Sequence, residues 1–109
     1  MYKDLIKEEY QEIFEDISML LFKNDPMCIN FLVNEDEYYP EAATIVLRLS
    51  KLSAPISVYT TLDVIHEEFK KWFTSDSLIG PKERYIELAY RICDMWNDFR
   101  EKQQIKRNQ

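Results

Sequence analysis

Glycine is almost absent from this chain of 109 residues, and the scarcity excludes structures that depend on it: Gly80 is the only one. Tight β-hairpins and glycine-rich phosphate-binding loops need residues without side chains, so neither is expected. No apolar run approaches the roughly 18 residues needed to span a bilayer. Residues 1–4 carry an acid early and lack the basic and apolar regions of a signal peptide. These absences predict a cytoplasmic protein that does not enter a membrane.

Cysteine and histidine are also rare, which restricts the available chemistry. Cys28 and Cys93 are far apart in the chain, and we expect reduced, buried thiols. His66, the single histidine, follows Asp63 by three residues, a spacing that supplies half of a di-metal site in a helical bundle. The other half needs a second histidine, so a solvated or backbone-capping His66 is expected. The sequence predicts no cofactor and no metal.

Catalytic groups are not grouped in any pattern typical of an enzyme. A Cys–His pair would need an exposed, activated thiol, whereas Cys93 adjoins the apolar stripe of a predicted helix. The acidic run Glu35-Asp36-Glu37 lacks the alternating spacing and the glycine of a calcium-binding loop. We therefore expect a protein that is not an enzyme.

Apolar residues are abundant at 46%, and their spacing predicts one all-α domain over residues 1–102. The expected architecture is an irregular four-helix bundle with a long apolar and acidic loop between helices 1 and 2. Prolines and one serine mark the helix ends: Pro26 follows the first helix, Pro40 and Pro81 open the second and fourth, and Ser57 caps the third. The predicted helices cover residues 2–22, 39–52, 57–73 and 81–101. The polar, basic tail 103–109 is expected to fray.

Both tryptophans continue helical apolar stripes, which predicts that they are core residues. Trp72 lies in the stripe that contains Phe69 and Phe73, and Trp96 lies between Ile92 and Phe99. Such spacing is typical of a packed helix face and not of an aromatic platform that stacks nucleobases.

The order of these elements resembles a small all-helical family of unknown function that is known mainly from Bacillales. The resemblance depends on Asp25-Pro26, on the acidic and aromatic segment 35–38, on the helix of small residues that follows, and on the aromatic end of the third helix. It covers roughly residues 3–100. It implies an all-helical fold, and it implies no catalytic residues, because none is assigned in that family.

Charge is distributed unevenly, and this distribution is the main clue to function. Residues 1–41 carry 11 acids and 3 bases, a net charge of −8, whereas residues 100–109 have a net charge of +3. An acidic surface repels nucleic acid and speeds the encounter with basic proteins. We expect contact with a basic protein partner through the following residues: Glu35, Asp36, Glu37, Tyr38, Tyr39, Glu41, Glu12, Glu15 and Asp16.

Two functions fit this charge pattern. The first is a small acidic protein that neutralises or masks a basic partner, as immunity proteins against nuclease toxins do in interbacterial competition. The second is a structural or regulatory helical domain that self-associates through Tyr38, Tyr39 and the apolar loop. The expected state is a monomer or a weak homodimer without nucleic-acid or membrane partners.

Overall fold

The computed structural model describes residues 2–25, 38–73 and 79–107, with side chains from Asp4 onward. Within these ranges all regular secondary structure is helical, which confirms the all-α four-helix bundle. The α-helices are α1 (Gln11–Asn24), α2 (Tyr39–Ser50), α3 (Val58–Trp72) and α4 (Ile86–Arg107). Short 3-10 helices at Tyr2–Leu5 and Glu8–Tyr10 precede α1, and another at Lys82–Tyr85 precedes α4.

The end of α1 is fixed beside the start of α2. Asp25 adopts a left-handed conformation with φ of 44°, and its backbone N–H donates to the Leu21 carbonyl. This geometry ends the helix just before Pro26, as the sequence predicts. The Tyr38 hydroxyl donates to the Asp25 carboxylate at 2.7 Å. The two helices are therefore antiparallel neighbours.

Polar contacts also show that α3 is antiparallel to α2. Near the start of α2, Thr44 Oγ1 accepts a hydrogen bond from Trp72 Nε1 in the last turn of α3. One turn later, Arg48 contacts Glu68, which lies one turn earlier in α3. The bundle thus alternates in direction along its first three helices.

The fourth helix reverses direction once more. Lys82, before α4, pairs with Asp63 in α3, whereas Asn97, deep in α4, contacts Ile56 just before α3. Asn97 accepts from the Ile56 N–H at 2.8 Å and donates to the Ile56 carbonyl at 2.9 Å. Since α4 is antiparallel to α3, it is also antiparallel to α1, with which it forms a groove described below.

The chain before α1 departs from the single long helix that the sequence predicts. Lys7 has an extended conformation, φ −59° and ψ 148°, between the two 3-10 turns. Gln11 Nε2 donates to the Ile6 carbonyl at 2.7 Å and stabilises this break. Ile6 and Tyr10 remain buried on either side of it. The apolar spacing therefore predicts correctly which residues are buried, but it does not predict that the helix is interrupted at Lys7.

The other helix ends lie near the predicted ones, except at the C-terminal end of the chain. Ser57 Oγ accepts from the Thr60 N–H at 3.1 Å, which confirms the predicted N-cap. The last helix, predicted to end at residue 101, continues to Arg107. Glu9 holds this last segment, because its carboxylate lies 3.4 Å from Gln103 Nε2 and 3.5 Å from Arg107.

The two tryptophans have different environments. Trp96 is fully buried and stacks on Tyr10, with ring centroids 5.7 Å apart and planes 9° from parallel. Trp72 is 39% exposed, so its predicted core position is wrong. Its indole N–H needs a hydrogen-bond acceptor and reaches Thr44 at the edge of the bundle, while Phe69 fills the core one turn earlier.

The rare cysteine and histidine side chains have structural contacts. Cys93 is a buried free thiol 3.4 Å from the Ile56 carbonyl, whereas Cys28 lies outside the described residues. His66 is partly buried in the middle of α3, and its Nε2 lies 3.2 Å from the Gly80 carbonyl.

Candidate partner-binding groove

The predicted centre of the binding surface, Glu35, Asp36 and Glu37, lies outside the described residues. Tyr38 and Glu41 are described and buried, with 0% and 3% of their surface exposed, which disfavours direct contact of either side chain with a partner.

Contacts with α1 and α3 explain the burial of Tyr38. The Tyr38 ring lies 6.3 Å from that of Phe69, and its hydroxyl is used by Asp25 at the end of α1. Glu41 lies in the first turn of α2, where the positive end of the helix dipole stabilises a carboxylate.

Tyr39 and Glu15 are half-buried and bind each other. The Tyr39 hydroxyl donates to Glu15 Oε2 at 2.8 Å, and its ring lies 5.0 Å from that of Phe14. This contact joins α1 to α2. Glu15 is therefore committed to an internal contact and is a poor candidate for binding a partner.

Glu12 and Asp16 are exposed, as predicted, and they line a groove between α1 and α4. The groove has a volume of about 620 Å³, within the range of small-molecule and peptide sites. Its lining combines apolar and charged side chains from both helices: Glu9, Glu12, Ile13, Asp16, Met95, Asp98, Phe99, Lys102, Gln103, Lys106 and Arg107.

The floor of the groove is apolar. Ile13 is buried, and Met95 and Phe99 are half-buried against the core. Phe99 also packs on Tyr10, with ring centroids 5.7 Å apart. The charged and polar side chains that α1 and α4 contribute form the two walls of the groove on either side of this floor.

The two ends of the groove differ in charge. Since α1 and α4 are antiparallel, Asp16 lies toward the same end as Met95 and Asp98, and Glu9 lies toward the end of Arg107. The first end holds Glu12, Asp16 and Asp98, and a single lysine, Lys102, pairs with Asp98 at 3.1 Å. That pair is exposed on both sides and contributes little. The acidic end therefore keeps a negative potential.

The opposite end of the groove is basic. Lys106 and Arg107 line it together with one acid, Glu9, which forms an ion pair with Arg107 at 3.5 Å. One carboxylate is thus shared against two bases. The groove is consequently bipolar along its length, with the apolar floor between the ends.

The pKa of Asp16 records the repulsion at the acidic end. Partial burial raises this pKa above its ordinary value of 3.8, and the neighbouring carboxylates Glu12 and Glu15 raise it further. A group whose pKa is raised by folding destabilises the folded state when it is ionised. Ionised Asp16 therefore lowers the stability of the folded state.

Replacing Asp16 with asparagine is expected to raise the melting temperature at pH 7. The substitution removes a carboxylate that burial and two like charges disfavour. The advantage should disappear below about pH 3.8, because wild-type Asp16 is then protonated in both the folded and unfolded states. The matched control is Asp94→Asn on the exposed face of α4, which should change stability by less than about 0.5 kcal/mol. A variant less stable than wild type at pH 7 would contradict this account.

Sequence reasoning found one wall of the groove and missed the other. Glu12 and Asp16 were predicted because they belong to the acidic first helix. Asp98, Met95 and Phe99 were not, because nothing local indicates that this part of α4 faces α1. The i, i+4 spacing of Asp98 and Lys102 was the available signal, and it indicates only an exposed helix face.

A second cavity offers less chemistry. It has a volume of about 280 Å³ and lies between the segment before α1 and the end of α2, lined mainly by apolar side chains with Lys7 and Lys51 at its edge. Across the described parts of the chain, no three histidine, cysteine or acidic side chains are grouped closely enough to hold a metal ion. None of the described helices is long and apolar enough to cross a membrane.

Comparison with protein-family models, curated proteins and solved structures finds no match to this chain. The resemblance to the Bacillales family thus stays a prediction.

Proposed function

We propose that this protein is a small acidic binding protein that masks a basic surface of a partner protein. The proposal depends on the exposure of Glu12 and Asp16 and on their lack of ion pairs within the described part of the chain. Both carboxylates are exposed at the edge of an apolar floor, and neither has an ion-pair partner among the described side chains. A lysine or arginine from a partner would supply the missing counter-charge, while its aliphatic stem covers the floor.

The most specific form of this proposal is an immunity protein against a nuclease toxin. Nucleases contact phosphates through basic surfaces, and an acidic protein can occupy such a surface in place of nucleic acid. The net charge of −8 over residues 1–41 suits this role, because long-range attraction raises the association rate. An immunity protein needs no catalytic residues, and its expected site of action is the cytoplasm.

Binding kinetics with a partner recovered by co-purification from the native host test the proposal. Glu12→Lys combined with Asp16→Lys should slow association by about tenfold or more and weaken its dependence on salt. The control is Glu83→Lys combined with Asp94→Lys, which changes net charge equally at exposed positions outside the groove lining.

Two results would overturn the proposal. Equal slowing by the groove variant and the control would reduce the effect to overall net charge. Recovery of only acidic or neutral partners would exclude the masking of a basic surface. For the nuclease form, the recovered partner must also lose nuclease activity when the protein is added.

Self-association is the second candidate, and an exposed apolar patch favours it. Tyr59, Ile86 and Tyr90 are 78%, 39% and 56% exposed. Lys82 pairs with Asp63 across α3 and the start of α4. Tyr59 lies one turn before Asp63, and Ile86 lies one turn after Lys82. Because the two helices are antiparallel, these apolar side chains lie on the same face of the bundle. Tyrosine is enriched at protein interfaces. Self-association through Tyr38 is not supported, because Tyr38 is buried.

Sedimentation over a range of protein concentrations tests this second candidate. A homodimer that resists salt and is disrupted by Tyr59→Ser combined with Tyr90→Ser would select it. A monomer at about 100 μM, well above the micromolar dissociation constants of many specific complexes, would reject it.

A further inference from the structure

We propose that the groove between α1 and α4 receives an amphipathic helix of the partner, with basic residues at one end of its buried face and acidic residues at the other. This inference rests on the proposed function and specifies what its groove recognises. The evidence is the shape of the groove, its apolar floor and the opposite charges of its two ends.

The backbone chemistry of the groove favours a helix as its occupant. Both walls are α-helices, whose backbone N–H and C=O groups are already used within each helix. An extended segment would find no backbone partners there and would leave its own polar groups unpaired over the apolar floor. A helix satisfies its backbone internally and packs its side chains between those of α1 and α4.

The length of the groove sets the length of the helix. Its lining on α4 runs from Met95 to Arg107. At 1.5 Å per residue this is about 18 Å, which corresponds to about three helical turns. Such a helix would present apolar side chains at i, i+3 or i+4, and i+7 to Ile13, Met95 and Phe99.

The charges at the two ends set the pattern of the helix beyond its apolar stripe. A lysine or arginine at one end would reach Glu12 and Asp16. An acid about three turns away would reach Lys106 and Arg107. A uniformly basic helix would be attracted to Glu12 and Asp16 but repelled by Lys106 and Arg107. The groove should therefore distinguish helices that have the same apolar residues but different charge patterns.

Fluorescence polarisation with three labelled helical peptides of about 14 residues tests the inference. The first peptide has two lysines at one end, an apolar stripe and two glutamates at the other end. The second has the same composition with one lysine and one glutamate at each end, and the third replaces the glutamates with lysines. The first peptide should bind about fivefold to tenfold more tightly than the second, and more tightly than the third at 150 mM salt.

Variants of the protein place the contact in the groove. Asp16→Lys and Lys106→Glu should each weaken binding of the first peptide about fivefold. The double variant should bind the first and second peptides about equally, because Glu12 then stands beside a lysine at one end and Arg107 beside a glutamate at the other. Asp94→Lys, outside the groove lining, is the control and should bind as wild type does.

The outcomes separate this inference from the proposed function. Equal affinity for the first and second peptides, or no binding of either at millimolar concentration, would overturn the bipolar helix site. A basic partner that still depends on Glu12 and Asp16 would then leave the masking function intact. Tight, charge-patterned peptide binding without recovery of any basic partner would support the site and contradict the masking function.

Discussion

Replacing Trp96 with alanine should lower the free energy of unfolding by about 3–5 kcal/mol, the cost typical of deleting a large buried ring. Trp96 is fully buried, and its ring packs on Tyr10 and Phe99 at centroid distances of 5.7 Å. The cavity left by alanine would lie between α1 and α4, directly beneath the groove. Urea unfolding followed by circular dichroism measures the change.

Two further substitutions make the Trp96 result specific. Trp96→Phe should cost much less than Trp96→Ala, because phenylalanine keeps most of the packing and removes a buried indole N–H that has no hydrogen-bond partner among the described residues. Trp72→Ala should cost less than Trp96→Ala, since the Trp72 ring is 39% exposed and its removal uncovers less buried apolar surface. Equal losses for Trp72→Ala and Trp96→Ala would show that the two rings are not buried as the structure has them.

The fold is largely predictable from local sequence because its helix boundaries depend on local chemistry. Pro26 stops α1, Pro40 lies in the first turn of α2, and Ser57 caps α3 through its own side chain. The break at Lys7 was missed because it depends on a hydrogen bond from Gln11 to a backbone carbonyl, which the apolar period does not report.

The binding surface is less predictable because it depends on which helices become neighbours. Tyr38 follows three acids and precedes a tyrosine and a proline, a sequence typical of an exposed loop, yet its ring packs against Phe69 of α3. Asp98 belongs to an ordinary solvent-facing pattern, yet the antiparallel pairing of α4 with α1 places it at the same end of the groove as Asp16. Local polarity cannot report either arrangement.

The ion pair between Arg48 of α2 and Glu68 of α3 is expected to contribute strongly to the free energy of unfolding. Glu68 is 2% exposed and accepts from Arg48 at 3.0 Å and from Lys71 at 3.2 Å. Burial raises the pKa of Glu68, but hydrogen bonds from Arg48, Thr44 and Lys71 outweigh burial and hold the pKa below 4.5. A lowered pKa in the folded state gives stability that is present above about pH 4.5 and is lost as the pH falls through the folded-state value.

Arg48→Met should lower the free energy of unfolding at pH 7 by about 2–3 kcal/mol. The change leaves a buried carboxylate with Lys71 as its remaining cation, and the cost stays below that of a fully buried pair because Arg48 is 35% exposed. The difference from wild type should shrink below pH 4.5, where Glu68 is protonated in the unfolded chain and the wild-type ion pair is also being lost. Arg48→Met combined with Glu68→Leu should recover most of the stability at pH 7, since no buried charge then remains unpaired. Urea unfolding of wild type, Arg48→Met and the double variant at pH 7 and pH 4 measures these differences. A double variant no more stable than Arg48→Met would show that α2 and α3 are joined by packing of the arginine stem and not by the ion pair.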